Sequence, residues 1–508
     1  MLEHLRTQLP ALIVVTPLTM GLIVALIGRR QIGWYIAMAT TAGVFAMTLQ
    51  LLMDVLNHGE RSLTYLMGNW PVPYGIAYKA DPLSASVMLI VAAMAAVITF
   101  YARRSVASEV PVGKLHYFWG LWLFCITGLL GITITGDAFN LYVLLEISSL
   151  STYTLVALGK ERNRRALTSA INYLLLGTMG ACFYLVGVAY LYMATGSLNI
   201  PDIAERLQPI YASWGTDAPL YQKTVIAGFA MMAVGLSLKL ALFPLHGWLP
   251  NAYTYAPSAV SALLASTATK VGAYAFMRVI FTLVGVGFAF GRLHTDIALM
   301  ACSGAAIIVG SWMAIRQVNV KKLLAYSSIA QIGYIALGFA LANRDGMTAS
   351  VIHLINHALT KGGMFLALGM VMYRLGGTRL SDLRGLGRKM PLTMAAFTAG
   401  GLGLIGVPLT SGFVSKWYLV SGCLEGGRYE MAAVVLVGSL LALIYVWRVV
   451  ETIYFGKRDE EVQVREAPWT MLVPTLLLIG ASLYFGINAS HTAYIAQAAA
   501  DYLLGAAR

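Results

Sequence analysis

Residues 223–278 read KTVIAGFAMMAVGLSLKLALFPLHGWLPNAYTYAPSAVSALLASTATKVGAYAFMR. The stretch contains one apolar segment, 223–246, and most of a second, 257–283, and each is long enough to cross a hydrocarbon layer of about 30 Å as an α-helix. Lys239 and Lys270 lie inside these segments. A charge at the bilayer centre costs at least about 2.5–3.5 kcal/mol, so each lysine needs an ion partner, water or loss of its proton. The stretch therefore predicts membrane helices with functional ionisable groups.

The whole chain shares this character. Of its 508 residues, 58% are hydrophobic and only 11% are charged, whereas a soluble domain carries about 25% charged residues. The predicted fold is an all-α integral membrane protein with about 14 transmembrane helices. The predicted spans are 9–28, 32–56, 82–102, 115–134, 138–159, 166–195, 223–246, 257–283, 294–314, 320–342, 348–374, 392–421, 430–455 and 470–488.

The charges of the loops indicate the orientation. If the N-terminus is outside, the inner loops carry 20 of the 35 lysines and arginines, the outer loops carry nine, and six lie within spans. Membrane proteins concentrate these residues in cytoplasmic loops. This bias predicts a multi-pass protein of the bacterial inner membrane with both termini outside. It also accounts for the net charge of +13 without nucleic acid as a partner.

Two spans carry residues that break helices. Pro244 and Pro250 follow Lys239 in helix 7, and Pro408 precedes Lys416 in helix 12. Proline removes a backbone hydrogen bond and clashes with the preceding turn, so helices 7 and 12 are predicted to be broken. Freed carbonyls are tolerated at membrane depth only where they face protein or water.

Glu146 lies in the middle of the fifth span, FNLYVLLEISSLSTY. Burial disfavours the charged form of a lysine, and a nearby carboxylate favours it. A Glu146–Lys239 pair that opens and closes would therefore make Lys239 release and recapture a proton. The alternative is a static ion pair that locks two helices. Lys270 has hydroxyl neighbours that could hold water, and its alternative is also a static pair.

The eleventh span carries His353, His357 and Lys361 at intervals of four residues. This spacing places them on one stripe about 12 Å long on a helix. Histidine titrates near neutral pH and relays protons through either ring nitrogen, so the stripe predicts a proton path. Each histidine could instead be a satisfied core residue. Zinc is not predicted, because no third ligand stands nearby.

The sequence predicts neither a cofactor nor a metal. Four cysteines are far apart and none has a CxxC spacing, so no iron–sulfur site is expected. No glycine-rich phosphate loop follows a strand, and no group in the spans is typical of a quinone or haem site. Arg448 lies within the thirteenth predicted span, three residues before Glu451. The two are expected to form a local salt bridge.

A shift of 177 residues superposes spans 4–8 on spans 9–13 and carries Lys239 onto Lys416. Since five spans is an odd number, the two copies would have opposite orientations, which predicts two inverted five-helix repeats. The predicted divisions are helices 1–3 with an extraplasmic hairpin, the first repeat, the second repeat, and helix 14 with a tail; their ranges are 1–112, 113–283, 294–455 and 456–508.

Several motifs resemble the antiporter-like membrane subunits shared by Mrp cation/proton antiporters and respiratory complex I. They are KLALFPLHGWLPNAYTYAPSAVSALLASTATKVGAYAFMR, QVNVKKLLAYSSIAQIGY, HLINHALTKGGMFL and SGFVSKW. The resemblance covers roughly residues 80–460. Within the family, GDAFNLYVLLEISSLSTYTLVALGKE looks most like the D-type subunits of Mrp antiporters. Asn319 departs from the family pattern, which commonly has Asp before the lysine pair.

The resemblance implies a fold of 14 helices with two inverted repeats. It also implies that Glu146 and Lys239 form an ion pair in the first half and that Lys416 ends the second half. Lys270 and the stripe of His353, His357 and Lys361 would form the bridge between the halves.

The function expected from these observations is proton translocation by a Glu/Lys/His relay in a subunit of a multi-subunit Na⁺ or K⁺/proton antiporter. Other membrane subunits, protons, monovalent cations and the bilayer are the expected partners, and no enzymatic activity is expected of the chain itself. An alternative is a proton-pumping subunit of a redox complex, such as NADH:quinone oxidoreductase or an energy-converting hydrogenase. A scaffold without transport is a third possibility, but it would have no need of ionisable groups in lipid.

Overall fold

The computed structural model is a bundle of α-helices with one small β-hairpin. It describes residues 6–28, 30–57, 62–161, 163–213, 220–457 and 464–506. The helices up to the first break are α1 Leu9–Ile27, α2 Arg30–Asn57, α3 Pro82–Glu109, α4 Leu115–Ile134, α5 Ala138–Ala157, α6 Arg165–Thr195, the short α7 Ile200–Ala212, and α8 Leu220–Leu240.

The remaining helices follow in chain order. They are α9 Leu249–Tyr255, α10 Ser258–Ser266, α11 Ala268–Met277, α12 Val286–Ala289, α13 Thr295–Ile315, α14 Val320–Ala340, α15 Arg344–Leu375, α16 Leu386–Lys389, α17 Pro391–Ile405, α18 Ser411–Glu425, α19 Tyr429–Phe455, α20 Trp469–Ile487 and α21 Ser490–Ala506. A π-helical segment, Arg278–Val284, continues α11. The predicted all-α membrane fold is confirmed.

Within the described residues, 12 helices are long and apolar enough to cross a membrane. Helix α5 is not among them, because Asn140, Glu146 and several hydroxyl residues lower its hydropathy. The two halves of the predicted twelfth span, α17 and α18, are each too short. The figure of 14 counts these elements as well and stays a prediction, as does the orientation in the membrane.

The predicted hairpin region contains strands β1 Leu63–Leu66 and β2 Ala77–Ala80, which pair antiparallel with Leu63 opposite Ala80. The hairpin leads directly into α3, whose N-cap is Asp81. The Asp81 carboxylate accepts hydrogen bonds from the backbone N–H groups of Leu83 and Ser84, at 3.1 and 3.0 Å. The hairpin therefore ends at a fixed point on the helical bundle.

Both predicted helix breaks are present. Helix α8 ends at Leu240, and α9 begins at Leu249 with Pro250 in its first turn. The indole of Trp248 donates to the Leu238 carbonyl over 2.8 Å and so satisfies one backbone group near the break. The second break separates α17 from α18, and Gly406 begins it with a φ of +87°.

A third break, which the sequence analysis missed, separates α10 from α11 at Thr267. No proline marks it. The hydroxyls of Ser266 and Thr267 donate to the carbonyls of Ala262 and Leu263 over 2.8 and 2.6 Å. Hydroxyl side chains that bond the preceding turn compete with the helical ladder and bend the helix, which explains the break. Lys270 lies one turn beyond it.

The inverted repeat stays a prediction. In each half, the first helix packs along the second and the third along the fourth, with α4–α5 and α6–α8 corresponding to α13–α14 and α15–α18. However, the 177-residue shift carries the first break into the interior of α18, whereas the second break precedes α18. Lys239 therefore precedes its break and Lys416 follows its own, although the shift superposes the two lysines.

One local prediction is wrong. Arg448 does not pair with Glu451; its guanidinium donates to the carbonyls of Ile315 and Gln317 at the end of α13, at 2.5 and 3.4 Å. Carbonyls at a helix C-terminus lack helical partners and carry partial negative charge, so they attract an arginine. The segment after helix 14 contains α21, which packs against α3 and α15.

A buried ion pair joins the start of α3 to the end of α11. The Arg278 guanidinium contacts the Asp81 carboxylate, and their side chains are only 8% and 1% exposed. Arg278 also donates to the hydroxyl of Tyr274 over 2.9 Å. The pair is thus buried and hydrogen-bonded on both sides, a setting in which loss of one partner leaves the other charge uncompensated.

We expect Asp81→Asn to lower the free energy of unfolding by about 3–5 kcal/mol, because Asn keeps the helix cap but leaves the Arg278 charge buried and unpaired. Thermal unfolding of the purified protein in detergent measures the effect. Asp501→Asn is the control, since Asp501 pairs with Arg344 where both side chains are about half exposed and such pairs contribute little. Equal stability changes in the two variants would contradict the assignment.

Candidate functional site

The predicted ionisable residues follow one another through the middle of the bundle. Lys239 lies on α8, Lys270 on α11 and Lys416 on α18, and α15 carries the stripe of His353, His357 and Lys361. All except Lys239 are buried, with side chains at most 7% exposed. Glu146 and Lys239 are half-buried.

The Glu146–Lys239 pair is open in the structure. Lys239 Nζ donates to Ser149 Oγ, which lies on α5 one turn after Glu146. Among the described residues, no ion pair within 4 Å joins Lys239 to Glu146, and Glu146 Oε1 is buried without a hydrogen-bond partner there. The carboxylate and the ammonium therefore lie near the same turn of α5 without direct contact.

Lys270 is fully buried, and its Nζ donates to the backbone carbonyl of Ala265 in α10. This carbonyl lies two residues before the Thr267 break. Helix α11 approaches α8 closely, since a Cβ at Gly272 would lie 3.2 Å from the Leu240 backbone. The break and the absence of a side chain at Gly272 thus place Lys270 beside the helix that carries Lys239.

His353 is held on both sides of its ring. Its Nδ1 lies 2.8 Å from Ser415 Oγ on α18, and its Nε2 lies 2.9 Å from Gln331 Oε1 on α14. Because Gln331 Oε1 is an acceptor, Nε2 carries the proton in this arrangement and Nδ1 is free to accept from Ser415. His353 is therefore held between two helices by a contact at each ring nitrogen.

His357 has a different environment. It is 2% exposed, and neither ring nitrogen makes a hydrogen bond to the residues that the structure describes. Its ring stacks on that of His353, with centroids 6.0 Å apart. Lys270, Lys361 and His353 are all close enough to act on His357 electrostatically. His357 is therefore the member of the stripe whose proton state is least constrained by protein hydrogen bonds.

Lys361 ends the stripe near α14. Its Nζ donates to the Leu324 carbonyl over 2.8 Å and to the hydroxyl of Ser327. Lys270 lies within electrostatic range of Lys361, so the two central lysines repel each other when both are charged.

Lys416 reaches back across the break of helix 12. Its Nζ donates to the carbonyls of Leu404 and Ile405 at 3.0 and 2.8 Å and to Ser439 Oγ at 2.9 Å. These carbonyls end α17, where helical partners are missing and the helix dipole favours a positive charge. The ammonium also lies 4.8 Å from the ring centroid of Tyr334. This geometry uses all three donors of a charged lysine.

Sequence reasoning missed the polar partners. The candidate residues are contacted by Ser149, Ser327, Gln331, Ser415 and Ser439, yet single serines and glutamines in apolar helices give no sequence signal of their own. Their spacing relative to the titratable residues is set by packing between helices. Of these residues, only Ser149 has a local sequence signal, since it lies one helical turn after Glu146.

A polar cavity of about 440 Å³ lies where α10 and α14 begin. Its lining includes Glu109, Asn319 and Lys321. Glu109 accepts hydrogen bonds from Ser258 N and Oγ at 3.0 and 3.2 Å, and Asn319 caps α14 through the Lys322 N–H at 3.1 Å. Asn therefore performs the capping role for which Asp is also suited, and the departure from the family pattern has a structural explanation.

The model of one protein family, described as NADH:quinone oxidoreductase/Mrp antiporter, TM, matches residues 135–442. The matched region contains every candidate residue from Glu146 to Lys416. The chain belongs to this family.

Individual relatives agree with this assignment. The chain is 41% identical to NADH-quinone oxidoreductase subunit N of Desulforudis audaxviator over 93% of its length and 94% of the relative's. It is 30% identical to the D-type subunit of the Na⁺/H⁺ antiporter of Alkalihalophilus pseudofirmus over 91% and 90%. Among solved structures, a chain of the membrane-bound sulfane sulfur reductase, an archaeal respiratory membrane complex, matches with a TM-score of 0.87, 30% identity and 98% coverage of both chains. The chain is thus an antiporter-like, multi-pass membrane protein.

Proposed function

We propose that the chain is the proton-translocating subunit of a multi-subunit monovalent cation/proton antiporter. The observation that carries the proposal is the series of ionisable groups inside the bundle, most of them buried and hydrogen-bonded to polar groups of another helix. The expected exchanged ion is Na⁺ or K⁺, the expected location is the bacterial inner membrane, and other membrane subunits are the partners. The chain itself acts as a transporter subunit and not as an enzyme.

In the first half, Lys239 alternates between two partners. Its ammonium is bonded to Ser149 in the open state, and movement over one turn of α5 brings it to Glu146. The carboxylate stabilises the charged lysine, whereas separation in a low-dielectric site favours the neutral one. Closing the pair thus loads a proton on Lys239 and opening it releases that proton towards Lys270.

In the second half, protons pass from the Lys270–Lys361 region to Lys416. The ring nitrogens of His357 bond none of the described residues, and the ring lies between the central lysines and His353, so His357 is placed to accept a proton at one nitrogen and return it from the other. Lys416 then receives the charge, because the carbonyls that end α17 and the Ser439 hydroxyl stabilise its ammonium.

A second candidate is a proton-pumping subunit of a redox complex. The observation that favours it is the 41% identity to NADH-quinone oxidoreductase subunit N, against 30% to the D-type antiporter subunit. The proposed residues would be the same in both cases, and only the source of driving energy would differ.

The native complex distinguishes the two candidates. We expect an affinity-purified complex, reconstituted into vesicles, to contain small membrane subunits and to exchange Na⁺ or K⁺ for protons without an electron donor. Proton movement only upon addition of NADH or another electron donor, with iron–sulfur, flavin or nickel subunits in the preparation, would support the redox candidate instead.

We expect Glu146→Gln and Lys239→Ala each to reduce proton translocation by at least about tenfold, because each removes one member of the loading pair. The initial rate of pH change in vesicles, normalised to the amount of assembled complex, measures the effect. Glu205→Gln is the control, since Glu205 is an exposed carboxylate on α7. Full rates in both site variants would refute the loading mechanism.

Substitution of Gly406 tests whether translocation requires Lys416 to lie against the carbonyls that end α17. A Cβ at Gly406 would lie 2.9 Å from Lys416 Cδ, whereas one at Gly427 meets nothing within 4 Å; both glycines have positive φ, +87° and +67°. Gly406→Ala and Gly427→Ala should therefore have similar backbone costs of about 1 kcal/mol. Only Gly406→Ala should also lower the translocation rate, by displacing the lysine from its carbonyls. Equal rates in the two variants would show that this placement of Lys416 is not required.

A further inference from the structure

Tyr445 lies on α19, inside the second half of the bundle. Its side chain is fully buried, and its hydroxyl makes no hydrogen bond to the residues that the structure describes. A buried polar group without a partner is costly, and phenylalanine would fill the same space without that cost. The hydroxyl therefore calls for an explanation other than packing.

The hydroxyl lies next to two side chains of α14, Ser327 and Gln331. These residues are four apart and so share one face of the helix. Each already contacts an ionisable residue of α15: Ser327 bonds Lys361 Nζ, and Gln331 Oε1 bonds His353 Nε2 over 2.9 Å. The Tyr445 hydroxyl thus occupies the interval between two existing hydrogen-bonded pairs.

We propose that Tyr445 is a positioning residue that couples the charge of Lys361 to the hydrogen bonding and protonation of His353. The coupling runs along a chain of five side chains, Lys361–Ser327–Tyr445–Gln331–His353. The proposal rests on the function proposed above, and it assigns to Tyr445 a role in communication between the central and terminal proton sites. No proton needs to pass through the amide of Gln331.

The coupling follows from the donor and acceptor capacities of these groups. The Ser327 hydroxyl donates to the Leu324 carbonyl over 3.0 Å, and rotation turns the same hydrogen towards Tyr445. Leu324 O is also an acceptor for the Lys361 ammonium. When Lys361 is charged, its ammonium competes with the Ser327 hydroxyl for the Leu324 carbonyl. The single hydrogen of the Ser327 hydroxyl then turns towards Tyr445, and the Ser327 oxygen remains able to accept from Lys361.

Tyr445 transmits the change to the other pair. Once its oxygen accepts from Ser327, its own hydrogen is free to point at Gln331 Oε1. That oxygen then accepts from two donors, and the bond from His353 Nε2 weakens. A neutral Lys361 reverses the sequence. Chains of hydrogen bonds in a low-dielectric interior polarise one another, so a change at one end reaches the other.

The direct route along α15 offers electrostatic contact through His357 but no continuous chain of hydrogen bonds among the described residues. His357 lies between Lys361 and His353, but neither of its ring nitrogens bonds a described residue. The other ionisable groups near Tyr445 are Tyr334 on α14, which acts on it electrostatically, and Lys416, which lies over the Tyr334 ring. Neither group connects Lys361 to His353.

We expect Tyr445→Phe to reduce the translocation rate about five- to tenfold, which corresponds to the loss of one hydrogen-bonded link, while assembly of the complex is unchanged. Tyr184→Phe is the matched control. Tyr184 is equally buried, but its hydroxyl donates to the Ala138 carbonyl over 3.2 Å and belongs to no chain of ionisable groups among the described residues. The control should keep the full rate.

A double-mutant cycle separates coupling from packing. If Ser327 and Tyr445 act in one chain, Ser327→Ala combined with Tyr445→Phe should be no slower than the slower single variant, and both single variants should shift the pH of half-maximal rate in the same direction. Multiplicative rate losses with an unchanged pH profile would overturn the inference, as would a full rate in Tyr445→Phe.

Lys361→Ala distinguishes this inference from the proposed function. Loss of translocation in Lys361→Ala together with a full rate in Tyr445→Phe would reject only the role of Tyr445. A full rate in Lys361→Ala would reject the proton path itself.

Discussion

The structure depends on the need to satisfy every charge and every backbone carbonyl that lies at membrane depth. Two interruptions of helices provide acceptors for lysines there, and a third lies beside a lysine. Lys416 binds the carbonyls that end α17, Lys270 binds Ala265 just before the Thr267 break, and Lys239 lies just before the break that follows α8. A lysine in hydrocarbon and an interrupted helix are each unfavourable alone, but together they cancel part of each other's cost.

The same constraint explains why Lys416 and Lys270 differ in how well their surroundings stabilise a charged ammonium. Lys416 has three oxygen acceptors and an aromatic ring, which is a complete environment for an ammonium. Among the described residues, Lys270 has a single carbonyl as its acceptor. Positive charge is therefore better accommodated at the end of the second half than at its centre. In the mechanism proposed above, this difference favours transfer of positive charge from the centre towards Lys416.

Much of this architecture could be predicted from the sequence, because its strongest signals are local. Apolar runs, prolines and charges within them predicted the helices, two of the breaks and the ionisable residues. The Thr267 break could not be predicted, since serine and threonine also occur in unbroken membrane helices. Gln331 and Tyr445 could not be predicted either, because their importance comes only from what packs against them. A Glu146–Lys239 pair that opens and closes was expected. The structure shows the lysine on Ser149, a competing partner that sequence spacing cannot identify.

The C-terminal helix has a mechanical consequence. Helix α21 packs along α15, and Arg344 at the first turn of α15 is bonded to Asp501 at 2.7 and 3.0 Å. Helix α15 is an unbroken rod of 32 residues that carries His353, His357 and Lys361 on one side. A force on α21 from a neighbouring protein would turn or slide that rod as a whole. Because all three groups lie on the same rigid helix, their contacts with neighbouring helices would change together.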